Sequence, residues 1–210
     1  MALASYDDLV AECAYWLVDR TDLVARIPTF LALTEAQIYR RLRIRAMETA
    51  FSQAFLSNSA TLTLPSDFKQ FKFLYVNSAP DVSELLQKSP DYIYKMYPDP
   101  AMTGVPQYYA ITGDTIIFGR PPNSTYTVTG IYYAKLAALS ATNQTNWFTA
   151  NASDLLLYGM LAQGVRAIRD DATVQSDYDF QFERRLKDLE VENTAAKFDS
   201  SRKIGRYIPF

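Results

Sequence analysis

Three kinds of side chain in this 210-residue chain have the type or spacing for chemistry. Asp67, Asp91 and Asp99 are carboxylates in a proline-rich stretch. Two acids suffice for glycoside hydrolysis, one as general acid and one as nucleophile or base. Cys13 is the one thiol. Arg40, Arg41, Arg43 and Arg45 crowd into six positions and suit carboxylate or phosphate partners.

None of the three assembles a catalytic set. Acids among prolines usually form turns and caps. Cys13 falls on the apolar face of an expected helix and reads as a small buried hydrophobe. The chain has no histidine, which removes Ser-His-Asp and Cys-His machinery and histidine-ligated zinc. A single cysteine excludes an intrachain disulfide and a multi-cysteine metal site. We therefore expect no enzyme activity, metal or cofactor, with a carboxylate-dependent glycosidase kept as the alternative.

The arginines sit in the last turns of a helix expected over Pro28–Arg45, where cations favour the negative end of the helix dipole. Arg41 and Arg45 are four apart, and Arg40 and Arg43 three apart, so they repel by about 0.2–0.5 kcal/mol per pair. Glu48, an acid on another helix, a neighbouring subunit or phosphate must offset them. Charge runs are usually solvated faces. Lys plus Arg number 21 against 23 Asp plus Glu, a net charge of -2. That balance argues against a dedicated nucleic-acid binder. A DNA-contacting module through the four arginines stands as a further alternative.

The elements that must carry these residues follow from periodicity. Hydrophobic residues make up 49% and charged ones 21%, the proportions of a folded globular chain. Ser5 caps a first helix, with Asp8 three residues on, and Leu9, Cys13, Trp16 and Leu17 line one face. Thr21 and Asp22 begin a single turn before the second helix, whose stripe is Ile27, Leu31, Ile38 and Leu42, widened by Phe30 and Leu33. After Glu48 the helical period gives way to short alternating runs, and Pro65 to Pro122 holds eight of the ten prolines. Strands are expected at Thr61–Leu64 and Phe71–Val76, and a short helix at Asp91–Met96. Gln107–Thr112 and Thr115–Phe118 flank Gly113-Asp114, a two-residue hairpin signal. With Tyr126–Tyr133 they make a three-stranded antiparallel meander whose apolar face the terminal helices should cover. Leu155–Leu161 is apolar on nearly every side, the mark of a central helix, with Gly159 and Gly164 leaving room for a neighbour. A last helix is expected from Val174 to Phe198, with Tyr178, Phe182, Leu186 and Leu189 inward and the pairs Glu183–Lys187 and Arg184–Asp188 outward.

The fold expected is α+β: a mainly helical body over 1–48 and 150–198, with two N-terminal and two C-terminal helices, and an inserted antiparallel β-meander region over 49–149. An extended tail occupies 199–210. That tail pairs basic Arg202, Lys203 and Arg206 with apolar Ile204, Tyr207, Ile208, Pro209 and Phe210. An apolar tip gains burial by docking on another protein, against the plain alternative of a frayed end. Met1 to Tyr6 lacks the basic stretch of a signal peptide, and no apolar run approaches the ~20 residues of a membrane span, so synthesis in a cytoplasm is expected.

The order of residues resembles one known family. The N-terminal matches are Asp8-Leu9, Trp16-Leu17, Arg20, Asp22-Leu23, Ile27-Pro28, Phe30, Leu33, Glu35, Ile38, Arg40, Leu42-Arg43, Arg45 and Met47-Glu48. Leu64-Pro65-Ser66-Asp67-Phe68 is similar to an "LP-x-DF" step, and Gly104-Val105-Pro106 leading to Tyr108–Ile111 to a "G-x-P…Y-x-I" strand entry. Pro121, Tyr132-Tyr133 and Leu155–Leu161 follow in the same order. These pieces, spread over nearly the whole chain, resemble phage head–tail adaptor (connector) proteins of short-tailed phages, the tail tubular protein A-like group. Asn151–Asp154 lacks the proline common before the penultimate helix, and Gly164 stands where alanine is commoner.

The resemblance implies a structural virion protein at the head–tail junction, made in the host cytoplasm. It implies a ring, usually of twelve copies, between the capsid portal and the tail nozzle or tail tube, with genome DNA in the lumen read without sequence specificity and no membrane. Arg40, Arg41, Arg43 and Arg45 then stand as lumen or inter-subunit charge, since a lumen through which DNA only passes needs no basic excess. Such adaptors take part in genome ejection, and their C-terminal tails insert toward the portal.

Overall fold

A computed structural model of the chain describes residues 3–17, 21–99, 101–168 and 172–202, with the side chains of 21, 168, 172 and 196–202 outside the description. The chain divides into two compact units, Met1–Ala46 with Leu136–Phe210, and Met47–Lys135. The class is mixed α+β, with helices at both ends and strands between.

The helical unit opens with α1 (Tyr6–Trp16). Ser5 Oγ accepts from the Asp8 amide at 3.2 Å and the Asp8 carboxylate accepts from the Ser5 amide at 3.1 Å, a reciprocal cap. A short helix α2 (Thr21–Val24) leads into α3 (Ile27–Arg41), whose buried stripe includes Ile27, Phe30, Leu31, Thr34, Glu35 and Ile38. Leu33 lies outside that stripe, 48% exposed. The helix stops short of the expected Arg45. Leu42 is extended at ψ 140, and Leu42 and Ile44 are both buried with Arg43 between them half-buried. That alternation is an extended segment's period of two, and it wins over the helical period once Leu42 and Ile44 both reach the core.

α5 (Trp147–Asn151) and α6 (Ser153–Ile168) come after the inserted unit, and α7 (Ala172–Arg202) closes the chain. The sequence reading missed α5, which Asn146 starts by accepting from the amides of Phe148 and Thr149. Leu136–Thr149, read with the β region, belongs to the helical unit. α6 is the central helix: Leu155, Leu156, Met160 and Leu161 are fully buried, and α1, α3, α5 and α7 all pack on it. α7 runs through Arg202, so residues 199–202 are helical rather than an extended tail. They continue a helix that no proline or glycine interrupts.

The inserted unit holds β1 (Glu48–Phe55), β2 (Thr61–Thr63), β3 (Phe68–Ser78), β4 (Asp81–Glu84), β5 (Leu86–Gln87), α4 (Pro90–Met96), β6 (Tyr108–Thr112), β7 (Thr115–Phe118) and β8 (Tyr126–Ala134). Gly113 turns the β6–β7 hairpin with φ 58, as its position requires. The three-stranded meander does not form. β8 leaves that hairpin and joins a different sheet, giving two four-stranded sheets ordered β1-β8-β3-β4 and β2-β7-β6-β5, the last pair parallel. The connection Gly119–Thr125 carries Pro121-Pro122, which cannot donate to a ladder, and is longer than a tight hairpin allows. β1, unforeseen, pairs along its whole length with β8.

The sheets cover each other rather than waiting for helices. Phe51, Phe55, Phe71, Val76, Val128 and Tyr132 of the first meet Leu62, Tyr109, Ile116 and Phe118 of the second in one buried cluster. The rings of Phe55 and Phe118 stand 4.2 Å apart between centroids, and those of Phe71 and Tyr109 5.8 Å.

Candidate functional site

The four arginines separate once the helix ends early. Arg41, still on α3, places Nη1 at 2.6 and 2.7 Å from the two carboxylate oxygens of Glu183 on α7. Glu183, expected to pair with Lys187 on its own helix, thus takes a partner across helices. Arg43 is half-buried and donates through Nη1 to the carbonyls of Tyr39 (3.1 Å) and Leu42 (2.7 Å). These are carbonyls that the end of α3 leaves without helical partners. Arg40 and Arg45 are exposed. Arg41 and Arg45 no longer share a helix, so the expected repulsion at that spacing is absent.

Asn193 of α7 fixes the segment beyond α3. Its Nδ2 donates to the Arg43 carbonyl at 2.7 Å and its Oδ1 accepts from the Arg45 amide at 3.2 Å. Beside it lies a cavity of ≈ 550 Å³ lined by Ile44, Arg45, Trp147, Leu189 and Glu192. Glu35 plays the matching part for the segment that returns from the β unit. It is 5% exposed and accepts from the Leu139 amide at 3.2 Å, while the Tyr39 hydroxyl donates to the Leu136 carbonyl at 3.1 Å. Burial pushes the Glu35 carboxyl up, against the lowering effect of the Leu139 amide and the Asn146 side chain. Burial, reinforced by the Glu35 charge, also pushes the Tyr39 phenol up. Sequence reading gave Asn193 no role. Glu35 left a signal: a charge between Leu31 and Ile38 at the spacing of the buried stripe.

The three acids serve local structure. Asp67 accepts from the Tyr132 hydroxyl at 3.0 Å, and its carbonyl accepts from the Lys135 amide. Asp91 stands in the first turn of α4 and pairs with Lys95 one turn on. Asp99 accepts from the Ala101 amide at 2.9 Å, a turn contact. Cys13 is buried, and burial pushes its thiol up to about 12. Among the described residues no group of His, Cys, Asp and Glu is arranged to hold a metal ion, and no helix is long and apolar enough to cross a membrane. Arg202 ends α7, and Lys203, Ile204, Arg206, Tyr207, Ile208, Pro209 and Phe210 lie outside the described residues.

Large apolar side chains remain at the surface of both units. Tyr15, Phe180 and Val191 are exposed on the helical unit, and Leu56, Val82, Tyr94 and Met96 on the β unit. The candidate acids, the thiol and two of the four arginines are taken up by contacts within the fold itself. A family model for the SU10 adaptor protein matches residues 4–204, and the chain belongs to that family of phage head–tail adaptors. The family is a structural one, with its place at the junction of head and tail. No curated protein matches the chain.

Proposed function

We propose that this chain is a ring subunit seated between the capsid portal and the tail nozzle, with genome DNA passing through the lumen. The family match over residues 4–204 carries this reading. The ring is usually twelvefold in the adaptors the sequence resembles, and each copy meets its neighbours through two different surfaces. Arg40 and Arg45 are the arginines left for lumen or inter-subunit charge, because Arg41 and Arg43 already have protein partners. The tail from Arg202 to Phe210 docks on the portal through its apolar tip.

Light scattering on size-exclusion fractions, of the chain alone and mixed with its portal, tests the reading. A complex of portal with a ring of copies is expected. A chain that stays monomeric and ignores the portal would overturn it. Deleting residues 203–210 should abolish portal binding and leave the monomer folded. Any DNA affinity should fall steeply with salt, as phosphate contacts do.

A further inference from the structure

The first sheet of the β unit has two open edges that differ in kind. β1 is an eight-residue edge strand. From Thr49 to Phe55 it carries no charge, no proline and no bulge. Among the described residues its backbone bonds only to β8. An edge of this kind is a template for another strand, and proteins that must stay apart protect it with lysine, proline or a bulge. The opposite edge, β4, is four residues long and holds Asp81 and Glu84, with Val82 64% exposed between them.

Strand direction decides what fits. β1 is antiparallel to β8, β8 to β3, and β3 to β4. Four alternating strands therefore leave β1 and β4 running in opposite directions. Copies related by rotation about a ring axis keep the same strand direction and the same left-to-right order. β4 of one copy then meets β1 of the next in antiparallel register, and the alternation continues without a break. An odd number of strands would give a parallel join, slightly weaker per residue. A β4–β4 contact would set acids against acids, and a β1–β1 contact closes a two-fold dimer rather than a ring.

We propose that β1 of each copy accepts the β4 edge of its neighbour, so that the first sheet runs from subunit to subunit around the ring. The inference rests on the ring reading and names the surface that makes it. Main-chain hydrogen bonds supply the contact, with Thr49, Ser52 and Ala54 exposed along the accepting strand.

Disulfide trapping tests it in the full chain. Cys13→Ala removes the native thiol, and Ser52→Cys or Gln53→Cys is combined with Val82→Cys or Ser83→Cys, covering both faces. Circular dichroism checks that each variant folds. In the portal-assembled sample, oxidation should link copies into a ladder of covalent multiples for at least one combination, because paired strands bring Cα atoms within disulfide reach. A ring that assembles and yields no link would overturn the edge pairing and leave the ring standing. Covalent dimers from Ser52→Cys or Gln53→Cys alone would overturn it in favour of β1–β1 pairing. A chain that never assembles with the portal would overturn both readings.

Discussion

Gly159 of α6 faces the side chain of Thr34 on α3 so closely that a Cβ at Gly159 would overlap the Thr34 γ-methyl and stand 3.0 Å from the Phe182 ring. The Thr34 hydroxyl donates to the Phe30 carbonyl at 2.8 Å, which holds that methyl in place. Gly159→Ala should gain up to about 1 kcal/mol of helix propensity. It should lose more, about 1–3 kcal/mol, to overpacking. Denaturant melts should therefore show net destabilisation. Thr34→Ser keeps the hydroxyl and removes the methyl, so the double variant should recover part of the loss. No recovery would mean that Phe182 or the backbone sets the limit.

Arg41 and Arg43 are close in sequence and unequal in what they hold. The Arg41–Glu183 pair is 45% and 53% exposed, and exposed pairs contribute roughly 0–1 kcal/mol. Arg43 satisfies two carbonyls at a half-buried helix end, and its removal leaves them without a donor, at about 1–3 kcal/mol. Arg43→Ala should lower the melting temperature clearly, Arg41→Ala barely. Salt should erase the Arg41 effect and leave the Arg43 effect.

Glu35 gives the helical unit a pH dependence of definite sign. Its folded carboxyl titrates above the ordinary value of 4.5 because burial disfavours the charge. The folded state then binds the proton more tightly than the unfolded chain does. The stability Glu35 contributes is present below that ordinary value and is lost as pH rises through the range between it and the folded value. Glu35→Gln keeps an acceptor for the Leu139 amide and cannot ionise. The stability difference, variant minus native, should grow in the variant's favour as pH rises through that window, and then level off. Thermal melts across pH read it. A flat difference would contradict the burial argument.

Cys13 should report opening of the helical unit. With the thiol buried and pushed up to about 12, little thiolate exists at neutral pH. Alkylation of the native chain should be slow, and in denaturant it should finish within minutes. Fast labelling of the folded chain would mean that α1 detaches readily.

What the sequence made legible was local. The Ser5–Asp8 cap, the Gly113 turn and the all-round apolar run of α6 each depend on residues within a turn or two of one another. The end of α3 was misread because Arg43 and Arg45 fit a helical dipole argument, while the burial of Leu42 and Ile44 is a tertiary effect with no local mark. The partition of strands was misread for a similar reason. Adjacency in the chain favours a meander, and only packing of Phe55 on Phe118 shows that β1 and β8 lie opposite the hairpin. Of the candidate site residues, the arginines do not stay together: Arg43 turns back on the carbonyls of Tyr39 and Leu42, a local contact, while Arg41 meets Glu183, 142 positions on and without a local mark.

The β unit begins and ends on one ladder: Glu48, just inside its first strand, is the register partner of Tyr133, just before its last residues. Both joins therefore lie at a single seam. A gene with this layout can trade the whole segment between them for another of equal mouth width and leave the helical scaffold's own sequence uncut. Sequence change confined between those joins leaves every core residue of the helical unit in place.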